Sequence, residues 1–261
     1  MKYVHILLIG FLFLSNMCLA QEIISLNATT TSSPPFAFKN KQSEAVGTNV
    51  EIIRSVFNNL GYRIHFNFQT WEKSIWEAQN GEFDFVFLTE KTPEREKIFY
   101  FSEPTVLLKT FFYKRKDRDI SFKFLINSKK LKVGIAYGYK YEKKIQDLID
   151  NKTLNTSFIY GNNIDLQGLL ETAFNKIDYY ICTTSNCNYL INKYKSHFKE
   201  LEKLDYIDPQ TKHYSELHLA FPKVLKNSQK LCQEFNQEFL KFKESQEYQS
   251  ILKKYNNNVK F

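Results

Sequence analysis

Apolar positions along this chain follow two rhythms that alternate, a period of two and a period near 3.6. Ile23 to Ala28 predicts a first strand. A Thr/Ser stretch then runs into Pro34-Pro35-Phe36, where two prolines stop both helix and sheet and leave a rigid loop. Thr48 and Asn49 are candidate caps for a helix whose apolar face is Val50, Ile53, Phe57 and Leu60, with Gly61 placed to end it. Tyr62 to Phe68 alternates as a strand, with Ile64, Phe66 and Phe68 on one face. Trp71 opens a short helix to Gln79, Asn80-Gly81 terminates it, and Phe83 to Leu88 is an apolar run of the buried-strand kind. Strand, helix, strand, helix, strand is the order of a parallel sheet with crossover helices.

The same order then restarts. Leu131 to Ala136 predicts a strand, Tyr141 to Ile149 a helix and Thr156 to Tyr160 a strand. Asp165 to Lys176 follows as a helix with Leu166, Leu169, Leu170 and Phe174 on its apolar side, and Ile177 to Cys182 as a third strand. Thr110 to Tyr113 and Leu217 to Phe221 predict two strand-like crossings between the units, and two crossings make a hinge. The chain closes on helices carrying Leu231, Phe235, Phe239 and Phe242, then Tyr248, Ile251, Leu252 and Tyr255. The expected fold class is α/β with two lobes, each a mainly parallel sheet flanked by helices. Residues 21–112 form the first part of lobe 1 and 113–216 form lobe 2. Residues 217–261 form the return crossing and the C-terminal helices of lobe 1.

The N-terminus adds an address. Lys2 gives a basic start, Ile6 to Leu14 is a short apolar run, and Cys18-Leu19-Ala20 offers small residues to a signal peptidase. The run is too short to span a bilayer, so residues 1–20 are expected to be removed and the mature, periplasmic chain to begin at Gln21. Aromatic residues make up 16% of the chain and glycines number only eight, which argues against disorder. A net charge of +8 raises the question of nucleic acid. The lysines are spread through helical stretches and loops alongside many glutamates, however, and Lys114-Arg115-Lys116 runs directly into Asp117. This is the pattern of a solvated surface, and no nucleic-acid motif accompanies it. No C-x-x-C pair, phosphate loop or nucleophile elbow occurs, so no metal, cofactor or catalytic residue is expected.

Several stretches together carry a family likeness. Pro34-Pro35-Phe36-Ala37-Phe38, Val46-Gly47-Thr48-Asn49-Val50-Glu51-Ile52 and Gly81-Glu82-Phe83-Asp84 come first. Thr92-Pro93-Glu94-Arg95-Glu96-Lys97, with Tyr100-Phe101-Ser102-Glu103-Pro104 behind it, is the most specific, and Leu219-Ala220-Phe221 and Tyr248-Gln249-Ser250-Ile251-Leu252 follow. In this order the mature chain resembles, nearly end to end, the family 3 extracellular solute-binding proteins, the polar amino-acid receptors of bacterial ABC importers. The resemblance implies a monomer that closes on a small carboxylate, an amino acid or an analogue of one, and docks on a membrane permease. It assigns Arg95 to the ligand's carboxylate, for which a planar guanidinium fork suits. Phe36, Thr89, Glu90, Trp71, Tyr139 and Thr183 fall on the cleft loops beyond the strands' carboxyl ends. Trp71 fits a stacking wall or the core, and Tyr139 a ligand contact or the surface.

The chain departs from the family at two of these places. Thr183 stands where an aspartate usually pairs with the ligand's ammonium, and Glu90 stands near the place of a small hydroxyl residue. Glu90 then either takes the ammonium or faces solvent. Two alternatives to a transport receptor remain: a cyclohexadienyl-dehydratase-like enzyme, for which Glu90 with Tyr139 or His213 would have to supply acid and base, and a ligand-sensing module. Cys182 and Cys187 flank a short polar stretch at a strand's end, which predicts a disulfide with Cys232 left free; three buried thiols are the alternative.

Overall fold

The protein's structure, a computed structural model, describes residues 24–118, 121–161, 163–209 and 214–255. The expected export segment 1–20, the start at Gln21 and His213 lie outside them. Lobe 1 opens with β1 (Ile24–Thr30), the short β2 (Phe38–Lys39) and β3 (Ala45–Val46), and α1 (Thr48–Asn59). It continues through β4 (Tyr62–Phe68), α2 (Trp71–Gln79), β5 (Phe85–Glu90), a one-turn α3 (Pro93–Glu96), β6 (Phe99–Phe101) and β7 (Val106–Leu108). Lobe 2 holds β8 (Thr110–Arg115), α4 (Phe122–Asn127), β9 (Lys132–Ala136), α5 (Lys143–Asp150), β10 (Asn155–Ile159), α6 (Ile164–Ala173), β11 (Tyr179–Thr183), α7 (Thr184–Tyr194) and β12 (Leu204–Ile207). The chain returns to lobe 1 with β13 (Ser215–Pro222), α8 (Ser228–Phe242) and α9 (Gln246–Lys254).

The first sheet has the order β4-β1-β5-β13-β6, with β7 also paired to β13, and the second β10-β9-β11-β8-β12. In each, three strands run parallel, β4-β1-β5 and β10-β9-β11. One antiparallel strand then joins: β13 beside β5, and β8 beside β11. The segments expected to cross between lobes are thus sheet members. Thr110–Arg115 is wholly within the second sheet and Ser215–Pro222 within the first. The passage out lies at Lys109, whose Nζ reaches Asp208 Oδ2 at 2.7 Å, just past β12, where the chain starts back.

Both faces of each sheet are covered, which is why β5 and β11 read as unbroken apolar runs. In lobe 1, Phe57 of α1 stacks on Phe85 and packs at a tilt against Phe235 of α8, each at 5.3 Å between centroids, while Trp71, Ala78 and Val86 form the layer under α2. In lobe 2, Ile135, Tyr179 and Ile181 face Ile145 of α5, and Ala136, Tyr180 and Cys182 face Leu169 of α6.

The start of α1 corrects an expectation. Neither Thr48 nor Asn49 is its N-cap residue; that position is Gly47, at φ 125°, and a Cβ there would lie 2.4 Å from the carbonyl oxygen of Phe36. The helix's first amides are received by the opening loop instead: Thr48 N–H donates to Pro35 O at 3.0 Å and Asn49 N–H to Phe36 O at 2.9 Å. The Pro-Pro-Phe loop therefore anchors α1, and the Phe36 ring is buried in the lobe 1 core.

Candidate functional site

A cavity of about 90 Å³ lies between the lobes, at the carboxyl ends of both parallel triplets. Lobe 1 supplies Trp71, Leu88, Glu90 and Arg95, and lobe 2 supplies Tyr139, Tyr141, Asp165, Thr183 and Asn186. Five expected residues therefore meet there: Arg95, Glu90, Trp71, Tyr139 and Thr183. Phe36 and Thr89 are not among the lining residues. Phe36 belongs to the core, and Thr89, fully buried, pairs in register with His218 of β13.

A bulge aims the loop that carries the charges. Leu217 pairs with Glu90, His218 with Thr89 and Leu219 with Phe87, so Leu88 has no partner across the ladder, and its φ is 60°. One extra residue reverses the alternation, so that Glu90 turns toward the cavity. Beyond it, Thr92 caps α3: its Oγ1 accepts the Arg95 N–H at 3.3 Å, and Pro93 sits at the helix's first position. The Arg95 guanidinium is held by Nη1 donating to Glu90 O at 3.0 Å and lies 5.4 Å above the Trp71 ring. Burial lowers the Arg95 pKa, opposed by Glu90 and Glu94, yet a guanidinium remains protonated at any physiological pH. Burial pushes Glu90 up to about 7; Arg95 and Lys140 pull against this, and Glu142 adds to it.

Trp71 bridges the lobes. Its indole Nε1–H donates to Gly138 O at 3.1 Å, and its ring meets Tyr139 edge-on at 6.3 Å. Gly138 has φ 77°, and a Cβ there would come within 3.1 Å of Trp71 Cδ1, so the close approach depends on glycine.

On the lobe 2 side, Thr183 Oγ1 accepts the Asn186 N–H at 3.4 Å and caps α7. The polar stretch between Cys182 and Cys187 is accordingly the first turn of a helix. A disulfide joins the two cysteines, Cα atoms 6.2 Å apart, and Cys232 is free and buried. Asp165, in the first turn of α6, is buried; burial raises its pKa to about 6, while hydrogen bonds from Tyr180 and Asn186 restrain the rise. Sequence reasoning missed Asp165 and Asn186, because an acid in a helix's first turn ordinarily answers only to the helix dipole. Among the described residues, no group of His, Cys, Asp and Glu could hold a metal ion. No helix among them is long and apolar enough to cross a membrane. The site thus offers one preset guanidinium fork, carboxylates at Glu90 and Asp165, and aromatic walls.

Several solved structures share this fold. An ancestral arginine-binding protein bound to arginine is 21% identical, with a TM-score of 0.71 over 88% of this chain and 97% of that one. A histidine kinase sensor domain with similarity to periplasmic binding proteins is 16% identical, TM-score 0.74, over 90% and 96%. An ancestral amino-acid-binding protein, a precursor of cyclohexadienyl dehydratase, is 22% identical, TM-score 0.70, over 88% and 95%. No curated protein matches the sequence significantly. Residues 26–258 match the profile of the bacterial extracellular solute-binding proteins, family 3, and the chain belongs to that family.

Proposed function

We propose that this protein captures a small carboxylate in the cavity between its lobes, closes by hinge motion at the two crossings, and delivers its cargo to an ABC permease. It acts outside the cytoplasm, as a monomer, without transforming the ligand and without nucleic acid. The observation that carries this reading is Arg95, whose backbone is capped by Thr92 and whose Nη1 is fixed on Glu90 O, so the fork is oriented before any ligand arrives. Glu90, Trp71, Tyr139 and Thr183 are the further ligand contacts it implies. A thermal-shift screen of amino acids and small carboxylates tests it. A ligand at a hundred times its dissociation constant adds roughly 2.7 kcal/mol of stability. The shift should vanish in Arg95→Ala, and a full shift in that variant sinks the reading.

Two observations favour other readings. The likeness to a kinase sensor domain supports a sensory role for the same cavity. Cross-linking the liganded protein in its own membranes decides this by whether a permease or a kinase is captured. Glu90, held near 7 by burial, has the pKa of a general acid or base, and a dehydratase precursor shares the fold. Turnover of arogenate or prephenate would establish an enzyme.

A further inference from the structure

Most of the chain's net charge of +8 gathers at one place in the fold. Residues 114–132 hold eight Lys and Arg against two Asp. They take in the end of β8, α4 and the first residue of β9, and both strand ends lie at the pole of lobe 2 opposite the cavity. There Lys132 pairs with Asn155, where β10 begins, and Arg115 with Leu204, where β12 begins. Lys152, just before β10, and Lys176, just before β11, reach the same pole from distant stretches of chain. Lysines scattered along the sequence thus collect at the amino ends of β10, β9 and β11, while the cavity occupies the carboxyl ends.

The acids at this pole are already engaged. Asp117 accepts from Arg115, and Asp178 accepts from Arg118 Nη1 and from the backbone N–H of Lys132. Asp150 accepts from Gln146, and Glu200 and Glu202 precede β12, at the opposite edge of the sheet. Lys129, Lys130, Lys132, Lys152 and Lys176 are exposed, and among the described residues none of the five is in an ion pair. An apolar ring stands with them. Phe174 is 51% exposed, between Ala173, whose O accepts from Arg115 Nη1, and Asn175, whose Oδ1 accepts from Arg118 Nη2. Phe124 of α4, 57% exposed, lies on the segment that leads into Lys129.

We propose that this pole of lobe 2 rests on a bilayer of anionic lipid, with the five lysines at the headgroups and Phe174 and Phe124 in the interface. Flexible ammonium groups on separate loops, none with a planar fork, suit headgroups that move laterally better than a single anion held in fixed geometry. The exposed rings favour a bilayer over other polyanions: they find hydrocarbon at its interface, and nothing apolar along a phosphodiester backbone. Held this way, the protein keeps its cavity at the end away from the lipid, so membrane contact and ligand capture are independent. Neither depends on which ligand fills the cavity.

Co-sedimentation of the processed protein with large vesicles tests this. Vesicles of phosphatidylcholine with about 30% phosphatidylglycerol should carry the protein down at low salt, and phosphatidylcholine alone should not. Raising the salt to about 300 mM should release most of it. A lysine near such a surface is worth about fivefold in affinity, so reversing Lys129→Glu, Lys130→Glu and Lys132→Glu together should weaken binding by at least about a hundredfold. Lys41→Glu, Lys226→Glu and Lys253→Glu remove the same charge from lobe 1 and should stay within a few-fold of wild type. Phe174→Ser should weaken binding several-fold. If circular dichroism shows the first triple variant misfolded, Lys152→Glu with Lys176→Glu decides, with a loss of about twenty-fivefold expected. Equal sedimentation on neutral vesicles, none on anionic ones, or equal losses from the lobe 1 and lobe 2 variants overturn the proposal. A DNA duplex bound as tightly as the anionic vesicles at the same salt overturns it too, in favour of a general polyanion surface.

Discussion

Replacing Glu90 by glutamine removes a buried carboxyl whose protonation differs between the folded and unfolded chain. Its folded pKa stands at about 7 against an ordinary 4.5. Burial is the cause; Arg95 and Lys140 oppose it, and Glu142 reinforces it. Between these values the folded protein keeps a proton that the unfolded chain has released. The group's contribution to stability is therefore fully present below pH 4.5 and is lost as pH rises through 7. At 1.36 kcal/mol per pH unit, the full swing is about 3 kcal/mol, and relaxation of the site makes 2–3 kcal/mol a fair expectation. Urea unfolding of the unliganded protein at pH 4.5, 6, 7 and 8.5 should show wild type losing that much more stability than Glu90→Gln across the range. In melting temperature the difference is roughly 4–12 °C, at 2–4 °C per kcal/mol for a chain of this size. Asp165, raised to about 6, gives both proteins a slope of the same sign, which cancels in the comparison. Parallel pH profiles for the two proteins would refute the reasoning, since they would mean that Glu90 ionises as freely in the fold as in the unfolded chain.

Arg95→Ala should weaken a carboxylate ligand by 2–5 kcal/mol, about 30- to several-thousand-fold by calorimetry, and Arg95→Lys should recover only part of this because lysine lacks the planar fork. Trp71→Phe keeps an aromatic ring but deletes the Nε1–Gly138 hydrogen bond between the lobes. Affinity should fall by about 1 kcal/mol, roughly fivefold, with small-angle scattering of the liganded variant showing a more open shape. Reducing the Cys182–Cys187 bond should lower unfolding free energy by about 2 kcal/mol, the chain-entropy value for so short a loop, as read by urea unfolding with and without reductant. Burial raises the Cys232 thiol to about 11, so it should resist alkylation at neutral pH until the protein unfolds.

Where local pattern and final structure agree, the rhythm of apolar residues was enough. Tyr62–Phe68 and Trp71–Gln79 form as their periodicities predict, and Leu231, Phe235, Phe239 and Phe242 do line the buried side of α8. Sheet membership is a different kind of fact. Thr110–Arg115 and Ser215–Pro222 are visibly strands, but nothing local says which sheet will take them, because their partners lie far along the chain. The site departs furthest from what the sequence displays, and for physical reasons. Leu88 looks like one more residue of an apolar run, yet it takes φ 60° and drops out of the ladder, which carries β5 two residues past its expected end and swings Glu90 around. Asp165 looks like an ordinary first-turn acid, because the groups that bury and bond it, Tyr180 and Asn186, stand 15 and 21 residues away. Gly168 is the one local hint, since a glycine inside a helix costs about 1 kcal/mol against alanine and asks for a packing reason. The Tyr180 ring is that reason. Periodicity reports how elements face a core, whereas this cavity is built by residues that break a rule of their own element: a leucine outside its ladder, a carboxylate turned inward, a glycine within a helix. Such breaks persist only where surrounding structure compels them, and the partners that compel the bulge at Leu88 and the Gly168–Tyr180 contact lie far along the chain, out of reach of any local pattern.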